Sequence, residues 1–418
     1  MSDSNRKLRI LFVTSDKYPP FRPAARVIFG QELVQRGHVI DWLIQAEKDC
    51  KNSYQIPYGN GKAYIAATDD GTSRWKRLRK HFLDLLNDLK IFSLVKQEEY
   101  DLMQVKDKYI AALIAILAVK FNKTHFIYWL AYPHAEASLY EANEGIARYK
   151  FFYTLRGKFF KFVLYKIILP CSVHIFVQSE QMKKDIAEKG IPLDKMTPIP
   201  SSLSLNEIPY VQSSGRLFLK KDADEKHIVY LGTLMRTRRL DFIIRVHAKV
   251  IGKHPAAKLF LVGKGEMPED EKFLMEEAAR LGIRESIVFT GYMPMKDAWE
   301  YIRNANVCLS PYFPTPILNS TSPTKLIEYM AMSKPVIGNN HPEQSLVISE
   351  SGAGLCVPWD EDAFASAISE LLDDPVRADQ MGAKGRMYIE RCRTDSIMAT
   401  KVEEQYIRIC NKQQKLSD

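Results

Sequence analysis

Ser320-Thr-Ser-Pro-Thr-Lys-Leu-Ile-Glu-Tyr-Met-Ala-Met-Ser-Lys-Pro-Val-Ile337 divides into a helix and the opening of a strand. Ser322 suits an N-cap and Pro323 the first helical position, so the pattern predicts a helix running to about Met332. Lys334-Pro335 ends it, and Val336-Ile337 begins a buried strand. The N–H groups of the first turn, at the positive end of the helix dipole, are a seat for phosphate. Lys325 stands in that turn and Glu328 lies three residues on, hence on the same face. Such a tip suits a nucleoside diphosphate: amides and Lys325 hold the charge, and Glu328 holds ribose hydroxyls. A capped amphipathic helix with a solvated lysine and glutamate would read the same way locally.

Outward from this block, strand and helix patterns alternate along the chain. Arg9–Thr14 reads as a buried strand, the Pro-rich loop Tyr18–Pro23 follows, and then a helix over about Ala25–Arg36 and a strand over Val39–Ile44. The same alternation continues to Lys189, and restarts at the strand His227–Leu231. It predicts an α/β fold of two Rossmann-like domains with mostly parallel sheets facing across a cleft, the cleft being the expected site. The expected divisions are an N-terminal domain over 1–205, a polar linker over 206–226, a C-terminal domain over 227–395, and a helix over 396–418 that packs back on the first domain.

The chain has 418 residues, 46% hydrophobic and 26% charged, which is a soluble globular composition of two or three domains. Six scattered cysteines argue against a disulfide framework or a zinc site and for a reducing cytosol. The longest apolar run, Tyr109–Val119, is shorter than the roughly 20 residues needed to span a bilayer. A formal net charge of +9 favours anionic partners.

Several segments resemble the family 4 glycosyltransferases, of the fold called GT-B. They are Tyr18-Pro-Pro, Arg36-Gly-His-Val, Phe176-Val-Gln-Ser-Glu, Tyr230-Leu-Gly-Thr, Lys258-Leu-Phe-Leu-Val-Gly-Lys-Gly-Glu, Val288-Phe-Thr-Gly-Tyr, the Ser320–Ile337 block and Gly352-Ala-Gly-Leu. Their order covers nearly the whole chain and is strongest from His227 to Arg391. Tyr128-Trp-Leu-Ala-Tyr-Pro-His-Ala-Glu is similar to bacterial exopolysaccharide and lipopolysaccharide transferases. The resemblance implies retention of anomeric configuration, with the leaving phosphate deprotonating the acceptor. Departures are plain: Ser320 stands where the family has the first of two glutamates, leaving Ser320 or Asn319 to meet the donor sugar. Thr233 stands where it has an arginine, and Pro23-Ala-Ala-Arg26 replaces its paired glycines.

Glycosyl transfer needs charge stabilisation on the departing diphosphate. The loop Gly232-Thr233-Leu-Met-Arg236-Thr-Arg238-Arg239 offers three guanidinium forks to phosphate oxygens, Arg238 foremost. With that clamp no metal and no other cofactor is expected, and Asp222-Ala-Asp224 reads as solvated acid. Gly263 allows a close backbone approach. By the resemblance, Tyr292 and Met293 line the base, Ser320, Thr321, Ser322 and Thr324 face the diphosphate and sugar, and His134 lies near the sugar–phosphate linkage. Arg26 is a candidate to reach an anionic acceptor or the diphosphate. The expected catalytic set is His134, Arg238, Lys325 and Glu328.

Arg74–Lys80 leading into Phe82–Leu94, and Arg148–Lys166, interleave cations with aromatics. They read as a face for anionic membrane, with snorkelling core helices as the other account; nucleic acid is not an expected partner. The function expected is transfer of a hexose from a nucleotide-diphosphate sugar to a lipid-linked saccharide, in cell-surface polysaccharide synthesis, at the cytoplasmic face of a membrane. A sugar-nucleotide epimerase of the same fold and a non-catalytic partner subunit are the alternatives.

Overall fold

The structure is a computed structural model that describes residues 6–20, 22, 24–145, 149–206, 208 and 224–417, with side chains as far as Lys412. The chain divides into two units, Met1–Pro200 with Asp395–Asp418, and Ser201–Thr394. Most of the expected linker, Asp222 of the Asp-x-Asp sequence, and Arg148 lie outside the described residues.

Among the described residues the first unit holds eight strands: β1 (Arg9–Tyr18), β2 (Val39–Ala46), β3 (Tyr54–Tyr58), β4 (Gly61–Ala66), β5 (Leu102–Lys106), β6 (His125–Leu130), β7 (His174–Val177) and β8 (Met196–Pro198). Their order is β3-β4-β2-β1-β5-β6-β7-β8, all parallel except the β3–β4 hairpin. The central strands are largely apolar because both faces are covered, with Asp41 of β2 and Gln104 of β5 among their buried polar exceptions. In β1, Leu11 and Val13 enter one core while Ile10 and Phe12 enter the other.

Four helices of this unit matter below: α1 (Arg74–Gln97), α2 (Tyr109–Val119), α3 (His134–Asn143) and α4 (Lys150–Val163). Helices α1, α2 and α4 contribute to the core on the Leu11 face. On the Phe12 face lie the helical segment Ala24–Glu32 and the C-terminal helix Asp395–Ser417, whose Met398, Val402 and Tyr406 are buried there. Glu403 of that helix accepts from Arg36 at 2.7 Å and meets His38 at 2.9 Å. The Arg36-Gly-His sequence is therefore a clasp for the terminal helix.

The second unit has six parallel strands: β9 (Lys226–Leu231), β10 (Ala257–Val262), β11 (Ile287–Phe289), β12 (Val307–Ser310), β13 (Val336–Asn339) and β14 (Gly354–Val357). The order β11-β10-β9-β12-β13-β14 reverses between β9 and β12. In such sheets ligands gather beyond the carboxyl ends at that reversal. Helices α5 (Asp241–Lys253), α6 (Thr324–Ala331) and α7 (Glu361–Asp373) flank this sheet, α5 and α7 in one core and α6 in the other. Each unit is thus Rossmann-like. No helix among the described residues is long and apolar enough to cross a membrane.

Candidate functional site

The reversal point of the second unit is built from three short segments. Tyr230 ends its strand fully buried, and its hydroxyl donates to the Thr233 carbonyl at 3.2 Å. Tyr312 follows β12, its backbone locked by two hydrogen bonds with Asn339 of β13 at 2.7 and 2.8 Å. Between the rings stands Lys325 of α6, which donates to the Tyr230 hydroxyl at 3.0 Å. Its ammonium nitrogen lies 4.1 Å from the Tyr230 ring centre and 5.2 Å from that of Tyr312.

Burial pushes the Lys325 amine well below its ordinary value, and nearby Arg238 pushes it the same way. Burial holds the Glu328 carboxyl up at about 7, against the pull of Lys325. Glu328 is partly exposed, and no hydrogen bond to its carboxylate is present among the described residues. Arg238 lies partly exposed, 5.9 Å from the Tyr312 ring centre, and forms no ion pair among the described residues. A buried lysine whose charge desolvation disfavours, beside a carboxylate without hydrogen-bond donors among the described residues, is a site suited to an anion and to hydroxyl groups.

The predicted N-cap differs from the one observed. Pro323 occupies that position and no side chain caps α6. Ser322 instead accepts from the Ser201 backbone N–H at 2.9 Å, and its carbonyl accepts from the Ser201 hydroxyl at 2.9 Å. The hydroxyl is drawn off to anchor the incoming chain, which leaves the first turn of α6 without side-chain competition for an anion. Thr324 is exposed at that tip with its hydroxyl 3.2 Å from that of Ser201. Ser320 is buried, and Thr321 donates to the Leu318 carbonyl at 2.6 Å.

Of the three arginines after Gly232, Arg238 alone points to Lys325 and the tyrosines. Arg236 is exposed and lies 4.5 Å over the Phe273 ring. Arg239 has a left-handed backbone, φ 53°, and turns to Asp241 at 3.4 Å and to Phe313. Tyr292 is largely exposed, and Met293 packs against the α6 core.

Gly232 and Gly263 bring the β9 and β10 loops together. Gly263 has φ 143°, and a Cβ there would overlap the Gly232 carbonyl oxygen. Gly263→Ala is therefore expected to lower stability by about 2 kcal/mol or more in chemical denaturation, since backbone must move. Gly232 itself sits against Tyr230 and Lys325, so the displacement carries into the site.

In the first unit His134 opens α3 just past β6, edge-on to Tyr132 with ring centres 4.8 Å apart. It lines a cavity of about 270 Å³ with Tyr109, Tyr132, Glu141, Arg156 and Phe160. Partial desolvation lowers its pKa, and Arg22, Arg156 and Lys106 act in the same sense against Asp107. Glu136 is committed elsewhere, accepting from the Tyr165 hydroxyl at 2.8 Å. Arg26 is partly buried in the segment Ala24–Glu32.

Sequence reasoning missed Tyr230 and Tyr312 as the walls around Lys325; one tyrosine next to the end of β9 and another two residues past β12 were the available signal. It also missed Asp107. That residue has φ 52°, accepts from Ala131 N–H at 2.9 Å, and keeps its other carboxylate oxygen buried without a partner. Lys106 beside it pairs with buried Asp16 at 3.1 Å. Among the described residues no three His, Cys, Asp or Glu side chains cluster as metal ligands.

Residues 225–374 match the family described as Glycosyl transferases group 1. The alpha-monoglucosyldiacylglycerol synthase of Streptococcus pneumoniae is 22% identical over 294 residues, covering 68% of this chain and 62% of that protein. The stretches matched cover only 34 to 62% of the lengths of the first three curated relatives. The sucrose-phosphate synthase of Thermosynechococcus elongatus superposes with a TM-score of 0.73 at 19% identity, over 97% of this chain and 99% of that one. HepE of Anabaena, in complex with UDP and glucose, superposes with a TM-score of 0.64 at 12% identity, over 95% and 99%. Residues 225–374 are a glycosyltransferase domain of the group 1 family, set in a chain with the GT-B fold that its resemblance to the family 4 enzymes implied.

Proposed function

We propose that the chain is a retaining, metal-independent glycosyltransferase that moves a hexose from a nucleotide-diphosphate sugar to a lipid-linked saccharide, working at the cytoplasmic face of a membrane in cell-surface polysaccharide synthesis. The observation that carries this reading is the grouping of Lys325, Arg238 and the undonated Glu328 carboxylate at the β9–β12 reversal. The α6 tip and the two cations receive the diphosphate, and Glu328 accepts from hydroxyls of the donor. The bond from the sugar's anomeric carbon to the diphosphate breaks and a bond to the acceptor oxygen forms. The acceptor proton passes to the leaving phosphate oxygen. Charge growing on that oxygen is met by Arg238 and by Lys325, whose protonation the incoming anion favours. These cations take the place a metal ion would fill.

HepE binding UDP and glucose supports a nucleotide-sugar donor. The name alpha-monoglucosyldiacylglycerol synthase supports an acceptor of lipid character. Incubation with UDP- and GDP-sugars, with and without a lipid-linked saccharide, tests the reading by mass spectrometry of the products. Acceptor-dependent release of nucleoside diphosphate, with an extended glycolipid that keeps the donor's anomeric configuration, is expected. Donor converted to an isomer without acceptor would mean an epimerase, and an inert donor a non-catalytic subunit.

A pH dependence follows from Glu328. With its carboxyl at about 7, the ionised form that accepts hydroxyls is gained as pH rises through that value. The kcat/KM for donor should climb from about pH 6 to about pH 8 and then level, and Glu328→Gln should abolish that limb.

A further inference from the structure

Helix α1 is apolar on two opposite sides. Ile91, Leu94 and Val95 face the sheet core. Trp75, Leu78, Phe82, Leu85, Leu89 and Phe92 recur every three or four residues on the other side and are exposed, Trp75 by 82%. This second stripe spans about 100° of the helix circumference and lies outside the buried core clusters. The acids of α1 lie on the core side: Asp84 accepts from Gln45 at 2.6 Å, and Asp88 pairs with Lys108.

Helix α4 repeats the arrangement. Phe151, Phe152, Leu155, Phe159 and Phe162 are exposed along one side, while Val163 joins the core that α1 and α2 cover. Helix α2 packs on α1 and adds exposed Ile110 and Leu117, with Phe121 just beyond its end. Tyr109 of α2 stacks on Phe160 of α4 with ring centres 4.8 Å apart. Helices α1 and α2 cover one sheet face, while α4 packs on α3, reaches the same core with Val163 and adjoins α2 through the Tyr109–Phe160 stack. Sixteen of the 24 exposed large apolar residues among the described residues sit on α1, α2 and α4 or just outside their ends. That concentration exceeds the scattered exposure normal for a soluble surface.

The charges identify what this surface meets. Residues 74–83 hold five Lys or Arg and no acid, and residues 149–166 likewise contain no acid. Arg74, Arg77, Lys80, Lys150, Lys158 and Lys161 have no carboxylate partner among the described residues. A protein partner of this size would need a matching acidic apolar face, whereas anionic lipid supplies headgroup charge and acyl chains together.

We infer that the outer sides of α1, α2 and α4 form one docking surface for an anionic phospholipid bilayer, with aromatic side chains in the interface and lysines and arginines on the headgroups. The inference rests on the proposed function for its consequence. The Tyr109–Phe160 stack that joins α2 to α4 also walls the His134 cavity, so a bilayer on this surface would present a lipid-linked acceptor beside that cavity.

Co-sedimentation with vesicles tests this. The full chain is mixed with vesicles of phosphatidylcholine alone, or with about a third phosphatidylglycerol. Two variants are compared: Phe82→Ser with Phe151→Ser and Phe159→Ser, and Lys150→Glu with Lys158→Glu and Lys161→Glu. All these positions are exposed, and circular dichroism checks that both variants fold. Wild type should pellet with the anionic vesicles, less so at high salt, and each variant should lose at least about tenfold in partition. Nucleoside-diphosphate binding should be unchanged in both. The inference fails if wild type ignores anionic vesicles or if the variants partition equally. It also fails if wild type self-associates through this face and the substitutions dissolve that dimer. Wild type that cleaves donor but ignores anionic vesicles would sink the docking surface alone, and wild type that binds vesicles without cleaving donor would sink the proposed function alone.

Discussion

Replacing Glu328 by alanine is expected to lower kcat/KM for the nucleotide-sugar donor by about two to three orders of magnitude. Among the described residues the carboxylate has no hydrogen-bond donor, so two sugar or ribose hydroxyls would each give it a charge-assisted bond worth about 1.5–3 kcal/mol. The fold should not suffer. The folded chain holds the Glu328 proton at about 7 against an ordinary 4.5, so it binds that proton more tightly than the unfolded chain. Stability from this group is full below about pH 4.5 and is lost as pH rises through about 7. Glu328→Gln should accordingly raise the Tm at pH 8 while removing activity. A variant that loses activity together with stability would place Glu328 in a structural role.

The second large effect is expected at Lys325. Lys325→Met keeps the volume between Tyr230 and Tyr312 and removes the ammonium group. Turnover should fall by about 10²–10³, and so should the stabilisation of the protein by nucleoside diphosphate in a thermal-shift assay. The melting temperature without ligand should hold or rise, because a desolvated amine is replaced by an apolar chain. Arg238→Ala should lower kcat more than it raises donor KM, since its guanidinium meets charge that grows as the bond breaks. Arg236→Ala and Arg239→Ala should matter less, as those side chains lie on Phe273 and beside Asp241.

The parallel α/β architecture was legible because most inner strands carry a short apolar run, such as Ile10–Val13 or Ile228–Leu231, between helical periods, and periodicity survives without tertiary context. The β3–β4 hairpin escaped that reading: Tyr54–Tyr58 is mostly exposed and carries a proline, so it lacks the apolar signature of a buried strand. The helix of Ser320–Ile337 was legible in length, but its cap was not. Ser322 is a good N-cap by type, and only the approach of Ser201, far off in sequence, turns its hydroxyl elsewhere. For the same reason sequence could rank Arg238 first among its neighbours but could not show why. The left-handed Arg239 and the Phe273 ring that turn the other two away exist only in the fold. The burial that lifts Glu328 and depresses Lys325 was equally invisible, because it depends on how segments far apart in sequence pack around α6.

The most direct measurement is calorimetric titration of UDP and GDP into the wild-type chain and into Lys325→Met. One of the two nucleotides should saturate a single site on wild type and bind at least about a hundredfold more weakly to the variant. Equal binding to both proteins, or no saturable binding of either nucleotide to wild type, would contradict a diphosphate seat at Lys325.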